Sequence, residues 1–258
     1  MYRALKFAHG PRGWWPVFNP RAPADANPVY DPRRKTLTSR QRFEIAVGAI
    51  LTQNTAWSNV SKALQALHRA RALSPESIAR MPRSRLAALI RPSGYFNQKS
   101  IKLKKFARYV IGFGSTARWI DRLRRMPPEA ARGELLGLHG VGPETADSIL
   151  LYAIGNPIFV VDAYTRRIFA RHGWIRGDEP YEEIRKTFEA APGKGVGRSA
   201  VVELWNDYHA QIVEVGKRYC HRRGPDCLRC PLYRREFFSS EGRFENPVLE
   251  EAEAGNPG

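Results

Sequence analysis

From Ser39 onward, apolar residues recur at three- and four-residue steps. Phe43, Ala46, Val47, Ile50 and Leu51 fall on one side of a helix, and Thr38 or Ser39 supplies a cap at its start. A second amphipathic stretch runs from Trp57 or Ser58 to about Arg71, with Val60, Ala63, Leu64 and Leu67 on one face. Ser74-Pro75-Glu76 and Pro82-Arg83-Ser84 read as helix starts, because proline suits a first turn where its missing N–H costs nothing. Asn97 to Phe113 is helical again, its polar face carrying Lys99, Lys102, Lys104, Lys105 and Arg108, and Pro127-Pro128-Glu129 opens a further short helix. Residues 8–36 hold Pro11, Pro16, Pro20, Pro23, Pro28 and Pro32 and read as irregular, ordered at most by the packing of Trp14 and Trp15. No strand alternation and no repeat of fixed period is present. The pattern predicts an all-α protein.

At 258 residues the chain has room for one large domain or two lobes, and 43% hydrophobic residues are enough for a core. It contains no run of 18 apolar residues, so no membrane span is predicted. The basic start, Met1 to Phe7, lacks the apolar stretch of a signal peptide, so a cytoplasmic, nucleoid-associated location is expected. Charge narrows the picture further. Lys and Arg number 42 against 25 Asp and Glu, a net +17. Residues 239–258 carry net −4, which leaves +21 on residues 1–238. A body that basic calls for a polyanionic partner, and nucleic acid is the usual one. The acidic tail from Ser239 to Gly258 is expected to be disordered and to serve solubility.

The candidate chemistry centres on Leu135 to Leu150. A helix ends near Leu138, Gly140-Val141-Gly142 turns tightly, and a second helix begins at about Pro143. Backbone amides of such a turn and helix start form an anion site that suits a DNA phosphate, while Val141 anchors the turn in the core. Val160-Val161-Asp162 follows twenty residues past Gly142 and also reads as a strand-like lead-in to a helix capped by Asp162.

Leu138-x-Gly140-Val141-Gly142-x-x-Thr145-Ala146 followed by Asp162 resembles the helix-hairpin-helix signature and catalytic Asp of the endonuclease III superfamily of DNA glycosylases. Ile50 to Thr55 resembles the loop whose glutamine, here Gln53 beside Asn54, fills the gap left by a flipped nucleotide. Gly94 to Lys99 resembles the segment two helices before the hairpin, and the matches together cover roughly residues 41–235. Within the superfamily, the Leu-Thr-Gln-Asn-Thr run, the run from Arg91 to Lys99 and Glu144 are similar to the bacterial 3-methyladenine DNA glycosylase III group.

The resemblance implies two helical lobes with a DNA cleft between them. One is a six-helix lobe over residues 37–156 that contains the hairpin; the other combines the N-terminal segment 1–36 with residues 157–238. It implies a monomer that acts on duplex DNA containing a damaged base. Gln53, Asn54, Leu138, Gly140, Val141, Gly142, Thr145 and Lys99 would meet DNA, and Asp162 would stabilise the charge that builds on the sugar as the base leaves. Superfamily members that also nick the backbone carry a lysine two residues past the second glycine, where this chain has Glu144. A carboxylate cannot form the Schiff base of lyase chemistry, so a monofunctional glycosylase is expected, with Glu144 in the pocket or complementing the helix dipole. Trp14, Trp15 and Trp57 are candidates to stack on a cationic alkylated purine, or else ordinary core residues. An endonuclease III-like glycosylase/AP lyase acting on damaged or mismatched pyrimidines and a non-catalytic DNA-binding module are the alternatives.

Three cysteines lie within eleven residues, a pattern that in an intracellular chain points first to metal. Cys220-x6-Cys227-x2-Cys230 resembles the superfamily's iron–sulfur loop, except that Glu236 stands where the fourth cysteine should be. Two readings follow. A 4Fe–4S cluster is completed by Glu236, a nearby residue or solvent, or the site has decayed and binds none. Zinc with His221 beside Cys220 is an awkward geometry.

Overall fold

The structure is a computed structural model and is described for residues 1–19, 21–31, 36–190 and 196–233. The acidic tail 239–258 and Glu236 lie outside the described residues. Among those described, twelve α-helices and no strand occur: α1 (Tyr2–His9), α2 (Ser39–Leu51), α3 (Trp57–Arg69), α4 (Pro75–Arg80), α5 (Arg83–Leu89), α6 (Phe96–Ile111), α7 (Thr116–Arg125), α8 (Pro128–Leu136), α9 (Pro143–Ser148), α10 (Ala163–Arg171), α11 (Tyr181–Glu189) and α12 (Arg198–Arg218). The all-α expectation holds, and no helix among the described residues is long and apolar enough to cross a membrane. The described residues between 10 and 38 form no α-helix and contribute one isolated antiparallel bridge, Val17 to Val29.

The chain divides into two compact units: Trp15–Asn156, and Met1–Trp14 together with the chain from Pro157. The first contains α2–α9, eight helices where six were expected, among them the unforeseen α7. Its axis is α2, which buries every residue from Phe43 to Leu51. A capping box starts this helix: Thr38 Oγ1 accepts from Gln41 N, and Gln41 Oε1 accepts from Thr38 N. Gln41 also donates to Phe18 O at 2.8 Å, and Glu44 accepts from Phe18 N at 2.9 Å. Residues 15–36 therefore belong with the α2 unit, contrary to the expectation that the whole segment 1–36 joins the other lobe. The physical reason is Trp15. A Cβ on Gly48 would stand 3.0 Å from its indole, so the bare helix surface of α2 is the slot that Trp15 fills.

In the second unit α1 packs on α12, held by Tyr2 Oη donating to Asp207 at 2.6 Å and by His9 against Gln211 at 3.0 Å. Helices α10 and α12 cross at Gly216. A Cβ there would fall 2.1 Å from the Tyr164 ring, so only glycine permits this approach.

Candidate active site and hairpin

Helices α8 and α9 enclose the turn 137–142. Gly140 has φ +80°, a left-handed conformation in which a side chain would be strained, and Gly142 begins α9 in an extended conformation. Val141 is buried, and its N–H donates to Leu138 O at 3.1 Å, closing the turn. Beneath it Arg132 of α8 meets Asp147 of α9, with Nε to Oδ1 at 2.6 Å and Nη2 to Oδ2 at 3.4 Å. Both side chains are buried, so the two hairpin helices share a two-pronged ion pair. Gly142, Pro143 and Glu144 are exposed, Leu138 is half-buried, and Glu144 sits in the first turn of α9. After Ser148 the helix widens into a π-helical stretch, Ile149–Ile154, which is buried throughout and fastens α9 to α2.

The loop after α2 leans on this hairpin. Gln53 Nε2 donates to Gly140 O and to Thr145 Oγ1, both at 2.9 Å, while Gln53 Oε1 accepts from Lys102 Nζ at 2.6 Å. Gln53 is thus folded onto the hairpin, with Thr145 buried behind it. Asn54 is exposed at φ +51°, a conformation that Asn tolerates better than most residues. Nearby Tyr95 is 66% exposed with φ +44°, an aromatic ring held out to solvent on a strained backbone.

Lys99 does not face outward as a DNA contact would. It is 2% exposed, and its Nζ donates to Leu51 O (2.7 Å), Ser93 O (2.7 Å) and Thr55 Oγ1 (2.8 Å). Burial, with help from the neighbouring Lys102 charge, brings this ammonium down to about 8. Lys104 is likewise turned inward, onto the carbonyls of Ala79 (2.7 Å) and Met81 (2.5 Å) that end α4. Trp15 is corrected from pocket to core: it is buried and meets Trp57 edge-on at 5.4 Å and Tyr152 at 5.5 Å. Trp57 is half-buried, and the Trp14 ring already carries Lys217 Nζ at 5.1 Å from its centroid.

Asp162 belongs to the other unit and caps α10. Its Oδ1 accepts from Thr165 N at 2.7 Å and Thr165 Oγ1 at 2.9 Å. The extended lead-in is pinned by α11, where Glu189 accepts from Phe159 N at 2.8 Å and Tyr181 Oη accepts from Val161 N at 3.2 Å. Glu189 is held in turn by the buried Arg185 at 2.6 Å. Across from the cap, His209 of α12 approaches Oδ2 at 3.6 Å. Burial alone would push the Asp162 carboxyl up. His209, together with the bonds from Thr165, outweighs it and holds the group below the usual carboxylate value. A buried carboxylate that stays ionised can stabilise a developing cation in a site of low dielectric. His209 escaped the sequence reading because a single histidine on an amphipathic helix carries no spacing signal.

The cysteines follow α12. Cys220 is buried, and its Sγ accepts from Arg171 Nη1 at 3.2 Å. Arg171 also donates to His221 O (2.5 Å) and Arg222 O (2.9 Å), and Arg167 donates to Cys220 O (2.9 Å). Burial, then the neighbouring Cys220 and Cys227, push the Cys230 thiol up, partly opposed by a backbone bond from Leu232. Metal ligation asks for thiolates. Among the described residues no group of three His, Cys, Asp or Glu side chains is disposed to hold a metal ion. Cys220, Cys227 and Cys230 are the residues that would hold a cluster, and no chemical step is drawn through one.

A glycine turn clamped between two helices by a buried ion pair, with an N-capping aspartate beyond it, defines a helix-hairpin-helix protein. The sequence pattern of HhH-GPD superfamily base excision DNA repair proteins matches residues 47–192, and the chain belongs to that superfamily. Methanocaldococcus jannaschii MJ1434, named as a candidate DNA repair glycosylase, is 35% identical over 90% of this chain and 92% of its own length. Endonuclease III of Thermotoga maritima is 27% identical over 79% of this chain and 86% of its own. Among solved structures, H. pylori 3-methyladenine DNA glycosylase (MagIII) bound to 1,N6-ethenoadenine is similar with a TM-score of 0.57 at 28% identity, covering 71% of this chain and 91% of that one. A non-covalent endonuclease III–DNA complex gives 0.58 at 25% identity, covering 74% and 80%. The protein is a DNA glycosylase of base excision repair, and DNA is its partner.

Proposed function

We propose that the protein is a monofunctional glycosylase that hydrolyses alkylated purines, such as 3-methyladenine, from duplex DNA as a monomer. The observation that carries the reading is Glu144, an exposed carboxylate in the first turn of α9 where the lyases of the superfamily place an amine. Without an amine there is no Schiff base, so water takes the sugar carbon once the base departs. Asp162, kept ionised, offsets the positive charge on the sugar. A 3-alkylpurine is already cationic and its bond to sugar is weak, so little proton donation is required. The similarity to the H. pylori enzyme, whose name states the same substrate, supports this choice. The hairpin turn grips phosphate, and Gln53 and Asn54 reach the DNA from the adjoining loop.

The cysteine loop is proposed to touch DNA through its basic residues, held by Arg167 and Arg171. Iron and sulfide analysis of the purified protein tells whether a 4Fe–4S cluster completes it.

The functional test is base release from duplexes each carrying one lesion, with and without alkali. The expected result is free methylated purine and strand breaks only after alkali. Release of a pyrimidine lesion overturns the substrate, and a borohydride-trapped adduct on abasic DNA overturns the monofunctional reading.

A further inference from the structure

The two oxygens of Asp162 have different surroundings. Oδ1 is consumed by the helix cap, with two donors from Thr165 at 2.7 and 2.9 Å. Oδ2 is the oxygen left to act on a substrate, and it is the one that His209 Nε2 approaches at 3.6 Å. The Asp162 side chain is 13% exposed and that of His209 only 8%, so the pair sits at the edge of the interior with the carboxylate outermost.

His209 lies seven residues before Gly216, which places both on one face of α12, and the Gly216–Tyr164 contact draws that face onto the start of α10. The imidazole stands edge-on to Phe159 at 6.3 Å and 82°. Phe159 is three residues ahead of Asp162, stacked on Phe188 at 4.0 Å, and its own N–H is held by Glu189. The extended lead-in, the cap and α12 therefore converge on one carboxylate. Nε2 is farther from Oδ2 than a hydrogen bond allows, a gap of the kind that closes when a substrate loads.

We propose that His209 is a positioning residue for base release, holding Oδ2 of Asp162 in the orientation that presents its charge to the sugar. A carboxylate pinned through one oxygen retains the broad terminal torsion of Asp, and a contact on the second oxygen removes that freedom. Misplacement of a reacting group by about 1 Å costs about a hundredfold, so the orientation of Oδ2 matters even though His209 touches no substrate. The inference rests on Asp162 being the stabilising anion.

The test needs no knowledge of the lesion. Affinity is measured for two duplexes, one with a cationic pyrrolidine in place of the damaged nucleotide and one with a neutral tetrahydrofuran. Their ratio reports the charge presented to the sugar, and binding in general cancels. Wild type should favour the pyrrolidine duplex, and Asp162→Asn should abolish the preference. His209→Met, of similar volume but without an N–H, should reduce the preference about tenfold with tetrahydrofuran binding unchanged. His209→Gln, which keeps an N–H near the place of Nε2, should retain most of it. In an Asp162→Asn background His209→Met should have no further effect, because it acts only through the aspartate. His209→Leu serves the same purpose if the methionine variant does not fold. An undiminished preference in His209→Met beside its loss in Asp162→Asn overturns the inference alone. Equal loss of both duplexes in the Met and Gln variants shows a packing role and also overturns it. A preference that survives Asp162→Asn overturns the reading of Asp162, and the inference with it.

Discussion

Asp162 does two things that substitutions can separate. Asparagine caps helices about as well as aspartate, so Asp162→Asn should leave the thermal midpoint nearly unchanged. Base release should meanwhile fall about a hundredfold or more, the scale of losing a main electrostatic contact in the transition state. Asp162→Ala removes the cap as well and should cost a further ~1 kcal/mol of stability. Activity surviving in the Asn protein would mean that the residue is only a cap. The same carboxyl sets a pH expectation. It is held below its ordinary value of 3.8, so it remains ionised through the neutral range. Its contribution to stability is complete above the unfolded value and is lost as pH falls through the lower folded one. In a pH–rate profile the limb due to Asp162 should lie on the acid side of 3.8, and the Asn variant should lack it.

The hairpin is held as an element by Arg132 and Asp147, one from each helix, both buried. Removing one partner strands the other charge in the interior, so Arg132→Ala or Asp147→Ala should cost about 3–5 kcal/mol in denaturant unfolding. A loss below about 1 kcal/mol would show that the pair is wetter than the structure has it. The turn itself was legible in the sequence, since Gly140, Gly142 and Pro143 each answer a backbone requirement that few other residues meet. Most helix starts were legible for the same reason. The ion pair was not, because an arginine and an aspartate fifteen residues apart announce nothing until two helices fold together. Lys99 misled because two of its three acceptors are the backbone carbonyls of Leu51 and Ser93, groups that every residue has and no pattern marks. Trp15 misled because the hole that receives it is the missing side chain of Gly48, and a glycine inside a helix reads only as a weak spot. Helix α7 escaped notice because four arginines surround its buried Trp119, Ile120 and Leu123.

For the whole molecule the dominant quantity is the charge of +17. Its effect on DNA binding is read from the salt dependence, since each phosphate neutralised contributes about −0.9 to the slope of log affinity against log salt. The structure divides the basic residues of α6 into two kinds. Lys105 and Arg108 are exposed, whereas Lys104 is spent on the end of α4. Lys105→Ala or Arg108→Ala should flatten the slope by up to about one, while Lys104→Ala should leave it alone and lower the melting temperature instead. A salt response that is flat in the wild type would remove the case for phosphate contacts altogether.

The stem of Lys102 lies where any side chain at position 140 would have to go: a Cβ there would meet its Cγ, Cδ and Cε at 2.6 Å. The two sites therefore cannot drift independently over generations. Even an alanine at 140 would have to push the Lys102 stem aside, and with it the cation that steadies Gln53. Positions 53, 102 and 140 should accordingly be inherited as a set, and the order of substitution should be readable as 102 yielding before 140.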